Sequence, residues 1–373
     1  MVSQSGKKRL LSLDAFRGMT VAAMILVNCP GSYRAIYPQL RHAAWNGWTL
    51  ADTIFPSFLF IMGVSIVFSL AGHKECGLAD SRLDLRIVRR SVILFVLGLF
   101  MNSYPIFHLS TLRIPGVLQR IALCYFFAFS IVRRCSPRGQ LCWLLGLLAS
   151  YWLMMRFVPV PGIGAGVLES GKNLAAYVDS LLPEGHVWGQ HGTQDPEGIL
   201  STIPAVGTTL FGVLAGNWLR SPFSGLKKTV GMVCAGAALL AAGLILEPWF
   251  PINKSLWTST YSILMAGLAL LAFAAFYWLI DVAGCKRWAT VFIIFGMNAI
   301  AVYFLSEILD TGLRFVLREA SGPTANLRAH LFRTIFAPIA SPEGASLLFA
   351  LSYVFLMFSI AWLMWKMKII VKV

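Results

Sequence analysis

The sequence predicts an all-α, polytopic integral membrane protein that forms a single transmembrane domain over residues 1–373. Hydrophobic residues make up 57% of the chain and charged residues only 13%, whereas a soluble domain carries about 25% charged residues. The mean hydropathy is +0.72. Apolar segments of the length that crosses a bilayer, about 20 residues, recur from end to end. No linker or change of composition divides them.

Ten of these apolar segments are candidate membrane spans, so we predict about ten transmembrane helices. Each is flanked by polar or basic residues that are typical of the membrane surface. Because the number is even, both termini lie on the same side of the membrane. The candidate spans are 11–29, 50–71, 87–102, 115–132, 140–157, 198–219, 229–247, 258–280, 288–309 and 345–366.

The distribution of Lys and Arg predicts that both termini are cytoplasmic, because basic residues concentrate in cytoplasmic loops. With this orientation, 20 of the 31 basic residues are cytoplasmic, and the opposite orientation reverses the ratio. Three long segments are then external: 30–49, 158–197 and 310–344. The cytoplasmic set is Lys7, Lys8, Arg9, Arg17, Lys74, Arg82, Arg86, Arg89, Arg90, Arg133, Arg134, Arg138, Arg220, Lys227, Lys228, Lys286, Arg287, Lys366, Lys368 and Lys372.

The net charge of +15 comes from the Lys and Arg residues of the loops between spans, so it does not indicate a nucleic-acid partner. The basic residues lie in short loops, where they fix orientation in a lipid bilayer. The seven cysteines include no CxxC pair, and several lie within apolar segments, which is typical of small core residues. We therefore expect the lipid bilayer as a partner and no metal site.

Charged side chains inside apolar segments cost free energy, so each needs a partner or a function. Asp14 and Arg17 lie three residues apart in the first span. They either pair on one helix face or form a polar entrance for an anionic ligand. Arg113 precedes the fourth span, and Arg120 lies inside it beside Gln119. Guanidinium groups at these positions suit a phosphate or pyrophosphate, which they bind in a bidentate manner.

Further polar groups lie at the start of one span, inside another and between the first two. Asp195 and Glu197 open the sixth span in the sequence DPEG, where they either cap the helix or attract an amine or sugar hydroxyls. Asn298, inside the ninth span, must hydrogen-bond a neighbour. His42 stands in a polar island, RHAAWNGWTLAD, between the first two spans. The sequence contains no GxSxG, HExxH or phosphate-binding loop, so the common soluble-enzyme motifs indicate no function.

Six segments together resemble the transmembrane acyltransferases typified by the lysosomal heparan-α-glucosaminide N-acetyltransferase. They are, in chain order, SLDAFRGMTVAAMILVN, HAAWNGWTLADTIFPSFLFIMG, RIPGVLQRIAL, DPEGILSTIPA, PINKSLWTSTY and GMNAIAVYF. The resemblance extends from about residue 10 to residue 366. Because the extra N-terminal luminal region of the lysosomal enzyme is not in this sequence, we expect a bacterial homologue in the cytoplasmic (inner) membrane.

The resemblance implies an enzyme that moves acetyl from cytosolic acetyl-CoA to the amine of a glucosamine-type sugar on the periplasmic side. The family's histidine falls on His42 and a catalytic asparagine on Asn28, whose surroundings, VNCPGSY, keep the family pattern only loosely. A neutral imidazole can accept the proton of an attacking amine. Asn28 can orient the amine or donate to the thioester oxygen. The lysosomal relative further implies a homodimer.

Other site residues are assigned from their positions. Asp52 and Asn46 are expected to fix the tautomer of His42. Trp45, together with Trp48, fits an interfacial anchor, and we also assign Trp45 to the acceptor site. Coenzyme A is expected to extend from its phosphates at the cytoplasmic end. The acceptor set is Trp45, Asn46, Asp52, Asp195 and Glu197, and the coenzyme A set is Arg17, Arg90, Arg113, Arg120 and Asn298.

Two other functions remain open. A proton-coupled transporter or flippase, with His42, Asp52 and Glu197 as coupling groups, would need a proton gradient and no acetyl-CoA. An O-acyltransferase of envelope glycans would leave acetyl on oxygen, where mild base removes it. Acetyl transfer itself can pass through an acetyl-imidazole at His42 or occur in one step with His42 as base only. We favour the one-step route, because a pantetheine arm reaches across much of the membrane.

Overall fold

The structure is a computed structural model, which describes residues 10–75, 80–188, 194–316 and 326–371, without the side chains of residues 73–75 and 80–82. Over these ranges the chain is helical, with isolated β-bridges and no strand, so the all-α prediction is confirmed. The helices are α1 (Leu11–Asn28), α2 (Leu50–Glu75), α3 (Asp80–Ser103), α4 (Val117–Arg134), α5 (Pro137–Phe157), α6 (Leu174–Asp179), α7 (Thr202–Leu219), α8 (Gly225–Leu246), α9 (Ser259–Tyr277), α10 (Thr290–Met297), α11 (Ala299–Phe315), α12 (Leu327–Leu331) and α13 (Pro342–Lys366).

Five of the described helices are long and apolar enough to cross a membrane: α1, α2, α8, α9 with its π-helical continuation, and α13. A sixth span results if the bent pair α10 and α11 is counted as one. A multi-pass helical membrane protein is therefore confirmed, whereas ten spans and cytoplasmic termini remain predictions. Of the predicted cytoplasmic residues, Lys7, Lys8, Arg9 and Lys372 lie outside the described residues, and so do the side chains of Lys74 and Arg82.

The predicted span over 288–309 is divided by a bend of 80° between α10 and α11, so it is either a broken span or a re-entrant pair of helices. Asn298 lies at the break with a non-helical backbone (φ −124°, ψ 33°). Its side-chain Nδ2 donates to the Ile369 carbonyl at 3.0 Å, and its Oδ1 accepts the Val371 N–H at 2.9 Å. The required hydrogen bonds of this buried amide thus go to the segment that follows α13, and they hold that segment against the bend.

Helix α2 packs along α7 at a distance that only small residues permit. A Cβ atom added to Gly63 would lie 2.0 Å from the Thr209 carbonyl oxygen, and one added to Gly212 would lie 1.8 Å from the Phe60 carbonyl oxygen. Such contacts between small residues are how helices associate in lipid, where burial of apolar surface supplies little driving force. This packing fixes α2, whose first turn carries Asp52, against α7, which follows the acidic DPEG sequence.

Candidate active site

His42 and Asp52 form the centre of the candidate site. Asp52 lies in the first turn of α2 and is 1% exposed. Its carboxylate accepts the backbone N–H groups of Ala43 (3.1 Å) and Thr49 (3.0 Å), which wrap the polar island around it. Asp52 Oδ1 lies 2.7 Å from His42 Nδ1, and the His42 side chain is 48% exposed. A buried carboxylate therefore orients a solvent-accessible imidazole, as predicted for Asp52.

Lys254 completes this group from the loop between α8 and α9. Its Nζ lies 2.9 Å from His42 Nδ1, 3.2 Å from Nε2 and 3.3 Å from Asp52 Oδ1. Burial lowers the pKa of the ammonium, and the negative charges of Asp52 and Glu197 oppose this effect by favouring the protonated form. The site thus contains a carboxylate, an imidazole and an amine within hydrogen-bonding distance of one another.

Two loops are paired to hold this group together. The Gly47 N–H donates to the Ile252 carbonyl at 2.8 Å. The side chain of Asn253, which is fully buried, donates from Nδ2 to Asn46 Oδ1 at 3.1 Å. Asn46 was predicted to fix the His42 tautomer, but its described hydrogen bond goes to Asn253 instead. Asn46 therefore acts on the site indirectly, by fixing the loop that carries Lys254.

The geometry allows one nitrogen of His42 to pair with Asp52 while the other can accept a proton. With Asp52 accepting from Nδ1–H, the neutral ring keeps its lone pair on Nε2. The same arrangement of carboxylate and imidazole orients the base in many acyl-transfer sites. Neither neighbour of the ring needs a metal for this chemistry. Among the residues that the structure describes, no group of three His, Cys, Asp or Glu side chains could hold a metal ion.

Arg113, Asp195 and Glu197 form a second charged cluster. Arg113 donates from Nε to Asp195 Oδ2 at 2.8 Å, and from Nη2 to Asp195 Oδ1 and Glu197 Oε2 at 2.5 Å each. Its guanidinium also lies 4.4 Å from the centre of the Trp188 ring. Burial opposes the charge of Arg113, but the hydrogen bonds that Arg113 donates to Asp195 and the negative charge of Glu197 hold its pKa above the ordinary value. The predicted ligand groups are thus brought together and bind one another.

Asp179, at the end of α6, fixes the segment that carries this cluster. Its two carboxylate oxygens accept the backbone N–H groups of Asp195 (3.1 Å) and Ile199 (2.9 Å). Gly198 is required here, since a Cβ at that position would lie 2.1 Å from Asp179 Oδ2. Burial raises the pKa of Asp179 to about 6, although both N–H donors act to lower it. The sequence analysis did not identify this residue.

The raised pKa of Asp179 predicts a pH dependence of stability. Between about pH 4, where the unfolded carboxyl titrates, and about pH 6, the folded state binds the extra proton. The contribution of this group to the free energy of unfolding therefore falls as the pH rises through this window. We expect Asp179→Asn to remove that part of the slope in melting temperature of the detergent-solubilised protein. Glu169→Gln, an exposed carboxyl, is the control. Equal slopes for Asp179→Asn and wild type would contradict the assignment.

Arg120 is fully buried and lines a cavity. It donates from Nη2 to the Gly198 carbonyl (3.1 Å) and to Ser201 Oγ, while its Nε and Nη1 have no hydrogen-bond partner. Its guanidinium lies 4.9 Å from the centre of the Trp257 ring, and Trp257 follows Lys254 by three residues. The neighbouring Gln119 is 2% exposed, and neither of its amide atoms has a hydrogen-bond partner.

The cavity has a volume of about 700 Å³ and lies between α3, α4, α5 and α7. Glu197, Gln119 and Arg120 lie at one end, and Arg134 and Cys135 lie at the other. Arg134 follows Gln119 by fifteen positions, which corresponds to about 22 Å along a helix. Its walls are otherwise largely apolar, as at Leu123, Ile131 and Leu147. The cavity is thus an elongated apolar channel with polar groups at both ends. Its Arg120 end is linked to the loop of Lys254 through Trp257, whose ring stacks on Arg120 and whose backbone N–H donates to the Lys254 carbonyl at 2.9 Å.

Asn28 lies at the end of α1 in a third polar cluster. Its Nδ2 donates to Glu307 Oε1 at 2.9 Å. Nearby in α11, Asp310 pairs with Arg314 and lies 3.2 Å from Arg328 Nε, and Arg328 also donates to the Pro30 carbonyl. The described contacts do not join Asn28 directly to His42. They do fix the orientation of its amide, because a carboxylate can bind only the Nδ2 side.

The other predicted residues are distributed over the molecule. Arg17 pairs with Asp14 at 3.3 Å, as one reading of the sequence predicted, and donates to Ser65 Oγ at 2.7 Å. Arg90 stacks on Tyr125 at 4.6 Å. The Trp45 indole donates to the Leu168 carbonyl at 3.1 Å and packs against the long segment between α5 and α7. The described contacts of Arg17, Arg90 and Trp45 are with protein groups, and their binding roles remain predictions.

Sequence reasoning missed three residues that the structure places in or around these sites: Lys254, Asp179 and Glu307. Lys254 lies in the segment PINKSLW, one of the family-like segments, but no role was predicted for the lysine. The available signal was a lysine next to an asparagine in a short polar segment between two apolar spans. Asp179 and Glu307 gave no comparable signal, because their partners are backbone groups or residues 279 positions away.

Comparison with known proteins places these residues in context. A family model described as heparan-alpha-glucosaminide N-acetyltransferase, catalytic, matches residues 9–235. The human protein named heparan-alpha-glucosaminide N-acetyltransferase is 33% identical over 364 residues, which cover 82% of this chain and 54% of the human protein. The mouse protein of that name is 31% identical over 391 residues, which cover 90% of this chain and 58% of the mouse protein. This chain therefore spans little more than half the length of these relatives.

Proposed function

The chain belongs to the family of heparan-alpha-glucosaminide N-acetyltransferase catalytic domains, and on this basis we propose that it is a transmembrane N-acetyltransferase. It transfers acetyl from cytosolic acetyl-CoA to the amine of a glucosamine-type sugar on the periplasmic side of a bacterial cytoplasmic membrane. The observation that carries this proposal is the His42–Asp52–Lys254 group, in which Lys254 lies near enough to Glu197 and Arg120 for their charges to act on it. Glu197 and Arg120 line the long apolar channel, so a base for the acceptor lies near a path for the donor.

His42 acts as the general base. Its Nε2 accepts a proton from the sugar amine as the amine nitrogen forms a bond to the acetyl carbon. Asp52 keeps the ring in the required tautomer and stabilises the imidazolium that forms, since its carboxylate lies 2.7 Å from Nδ1. The proton then passes to the sulfur of coenzyme A as the carbon–sulfur bond breaks. The products are an amide and a thiol, and His42 returns to its neutral form.

The channel between α4, α5 and α7 suits the acyl donor. Arg134 lies at its cytoplasmic end in the predicted orientation and can pair with phosphate groups. The apolar walls fit a pantetheine arm, and the unpartnered polar atoms of Gln119 and Arg120 offer hydrogen bonds to its amides or to the thioester. The prediction of Arg120 as a donor contact is retained in this form. Arg113 instead holds Asp195 and Glu197 beside the channel mouth.

Asn28 is proposed to orient the acceptor amine. Glu307 accepts a hydrogen bond from one N–H of Asn28 Nδ2. The Oδ1 atom and the second N–H of Asn28 therefore remain for a ligand. Oδ1 can accept from the amine and direct its lone pair toward the acetyl carbon. Glu307 then serves as a positioning residue for Asn28. The external loops that carry Trp45, Asn46 and Glu197 would supply further contacts to the sugar.

The proposal is tested with purified protein, labelled acetyl-CoA and a panel of amino sugars. We expect label on the amine, stable to mild base. Label on oxygen would support the O-acyltransferase instead. Uptake of a solute that depends on a proton gradient, without any acetyl transfer, would support the transporter. If the protein binds coenzyme A yet transfers acetyl to no amine, the proposed function is overturned.

The donor channel makes a separate prediction. Leu147→Trp places an indole in the channel between α4 and α5 and should raise the KM for acetyl-CoA by about tenfold or more, a loss of about 1.4 kcal/mol of binding free energy. Leu145→Trp is the matched control, because Leu145 lies on the same helix but is 58% exposed. Isothermal titration with coenzyme A measures the same difference without turnover. Equal affinities in the two variants would exclude this channel as the donor path.

A further inference from the structure

Lys254 lies against the imidazole of His42, although 212 positions separate them in the sequence. Its Nζ is within 3.3 Å of both ring nitrogens and of Asp52 Oδ1. The Lys254 side chain is 18% exposed, whereas that of Asp52 is 1% exposed. The ammonium therefore lies between the buried carboxylate and the open edge of the site, next to the nitrogen that acts as base.

The loop that carries Lys254 is held in an unfavourable backbone conformation. Trp257 has a φ of +50°, in the left-handed region that bulky residues rarely adopt. Its ring is fully buried, packs edge-on against Phe55 and Tyr261, and donates to Thr208 Oγ1. The Asn253 side chain closes the turn by accepting the Leu256 N–H at 2.9 Å. Conformational strain of this kind clusters at functional sites.

The hydrogen bonds of Lys254 leave donors for a ligand. An ammonium has three N–H donors and no acceptor. Asp52 Oδ1 accepts one, and His42 Nε2 accepts a second in the resting site. When an amine occupies Nε2, that second donor is released. Two N–H groups are then available to a ligand, and Nζ lies only 3.2 Å from the nitrogen at which the amine would bind.

We propose that Lys254 is a further catalytic group of the acetyl-transfer site and donates to the carbonyl oxygen of the thioester as negative charge develops there. This inference rests on the proposed function. As the amine attacks, one electron pair of the carbonyl bond moves to oxygen, and the amine proton moves to His42 Nε2. When the carbonyl re-forms, the carbon–sulfur bond breaks and the sulfur takes the proton from His42. Lys254 keeps its own proton throughout, so it stabilises charge without acting as an acid.

The test compares Lys254→Met, which keeps the length of the side chain, with Lys172→Met, which removes an exposed lysine paired with Glu169. We expect Lys254→Met to lower kcat by about 10²–10³-fold, as loss of one oxyanion donor does elsewhere, with coenzyme A affinity largely kept. Lys172→Met should match wild type. Lys254→Arg keeps the charge and should recover part of the loss. Gel filtration and coenzyme A titration verify that each variant is folded.

A donor analogue separates catalysis from support of the fold. Acetyldithio-CoA has sulfur in place of the carbonyl oxygen and is a poor hydrogen-bond acceptor. The ratio of the wild-type kcat to the Lys254→Met kcat should therefore be much smaller with this analogue than with acetyl-CoA. If Lys254 only supports the fold, the ratio is the same with both donors. An unchanged ratio, or full kcat in Lys254→Met, overturns the assignment of Lys254 and leaves the proposed function standing. If wild type transfers no acetyl at all, the assignment of Lys254 and the proposed function are both overturned. Should Lys254→Met not fold, Lys254→Arg is compared with wild type on the two donors in the same way.

Discussion

His42→Ala is expected to lower kcat for acetyl transfer by about 10²–10⁴-fold, the usual contribution of a positioned general base. The substitution removes the imidazole that takes the proton of the amine in the proposed mechanism. Coenzyme A affinity should remain close to that of wild type, because the donor channel is lined by α3, α4, α5 and α7 and not by the loop that carries His42. Single-turnover rates and coenzyme A titration measure the two quantities separately.

The control for this substitution is His330→Ala, since His330 is exposed and its described backbone bond is to Asn326. It should retain the wild-type rate. A His42→Ala variant that is folded, binds coenzyme A and keeps the full rate would remove His42 from the mechanism. The family membership would survive that result, because it rests on the match over residues 9–235.

Arg113→Met should destabilise the protein by about 3–5 kcal/mol, the typical cost of removing one partner from a buried ion pair. Asp195 is 1% exposed and would be left charged without its counter-ion. Glu197 would lose its partner as well. The melting temperature of the detergent-solubilised protein should therefore fall sharply, and the segment from Asp195 to Gly198 should become accessible to hydrogen exchange.

A matched comparison is Lys172→Met, which breaks an exposed ion pair with Glu169 and should cost about 0–1 kcal/mol. Adding Asp195→Asn and Glu197→Gln to Arg113→Met removes the uncompensated charges, so it should recover part of the lost stability. A melting temperature for Arg113→Met equal to that of Lys172→Met would show that the cluster does not stabilise the fold.

Local sequence reasoning succeeded where the interacting groups lie close together in the chain. His42 and Asp52 are ten positions apart in one polar island, and Asp14 and Arg17 are three apart on one helix. The helical class followed from long apolar segments. These features depend on periodicity and composition, which a single sequence contains.

Local sequence reasoning did not identify partners that are distant in the chain. Arg113 and Asp195 were each assigned to ligands and not to one another, because a lone charge in an apolar segment demands a partner and each partner lies 82 positions away. Lys254 was overlooked for the same reason. The bend at Asn298 was missed because the surrounding residues form an apolar run that reads as a continuous helix, and its hydrogen bonds go to residues 71 and 73 positions away.

The most direct test of the proposed function measures acetyl transfer across the membrane of proteoliposomes in which the protein has a uniform orientation. Labelled acetyl-CoA is confined to the side that holds the protein's termini, and glucosamine is confined to the opposite side. The proposed function predicts that N-acetylglucosamine appears on the acceptor side while coenzyme A stays on the donor side, and that His42→Ala slows the transfer by about 10²–10⁴-fold. Transfer only when both substrates share one side would contradict a transmembrane acetyltransferase.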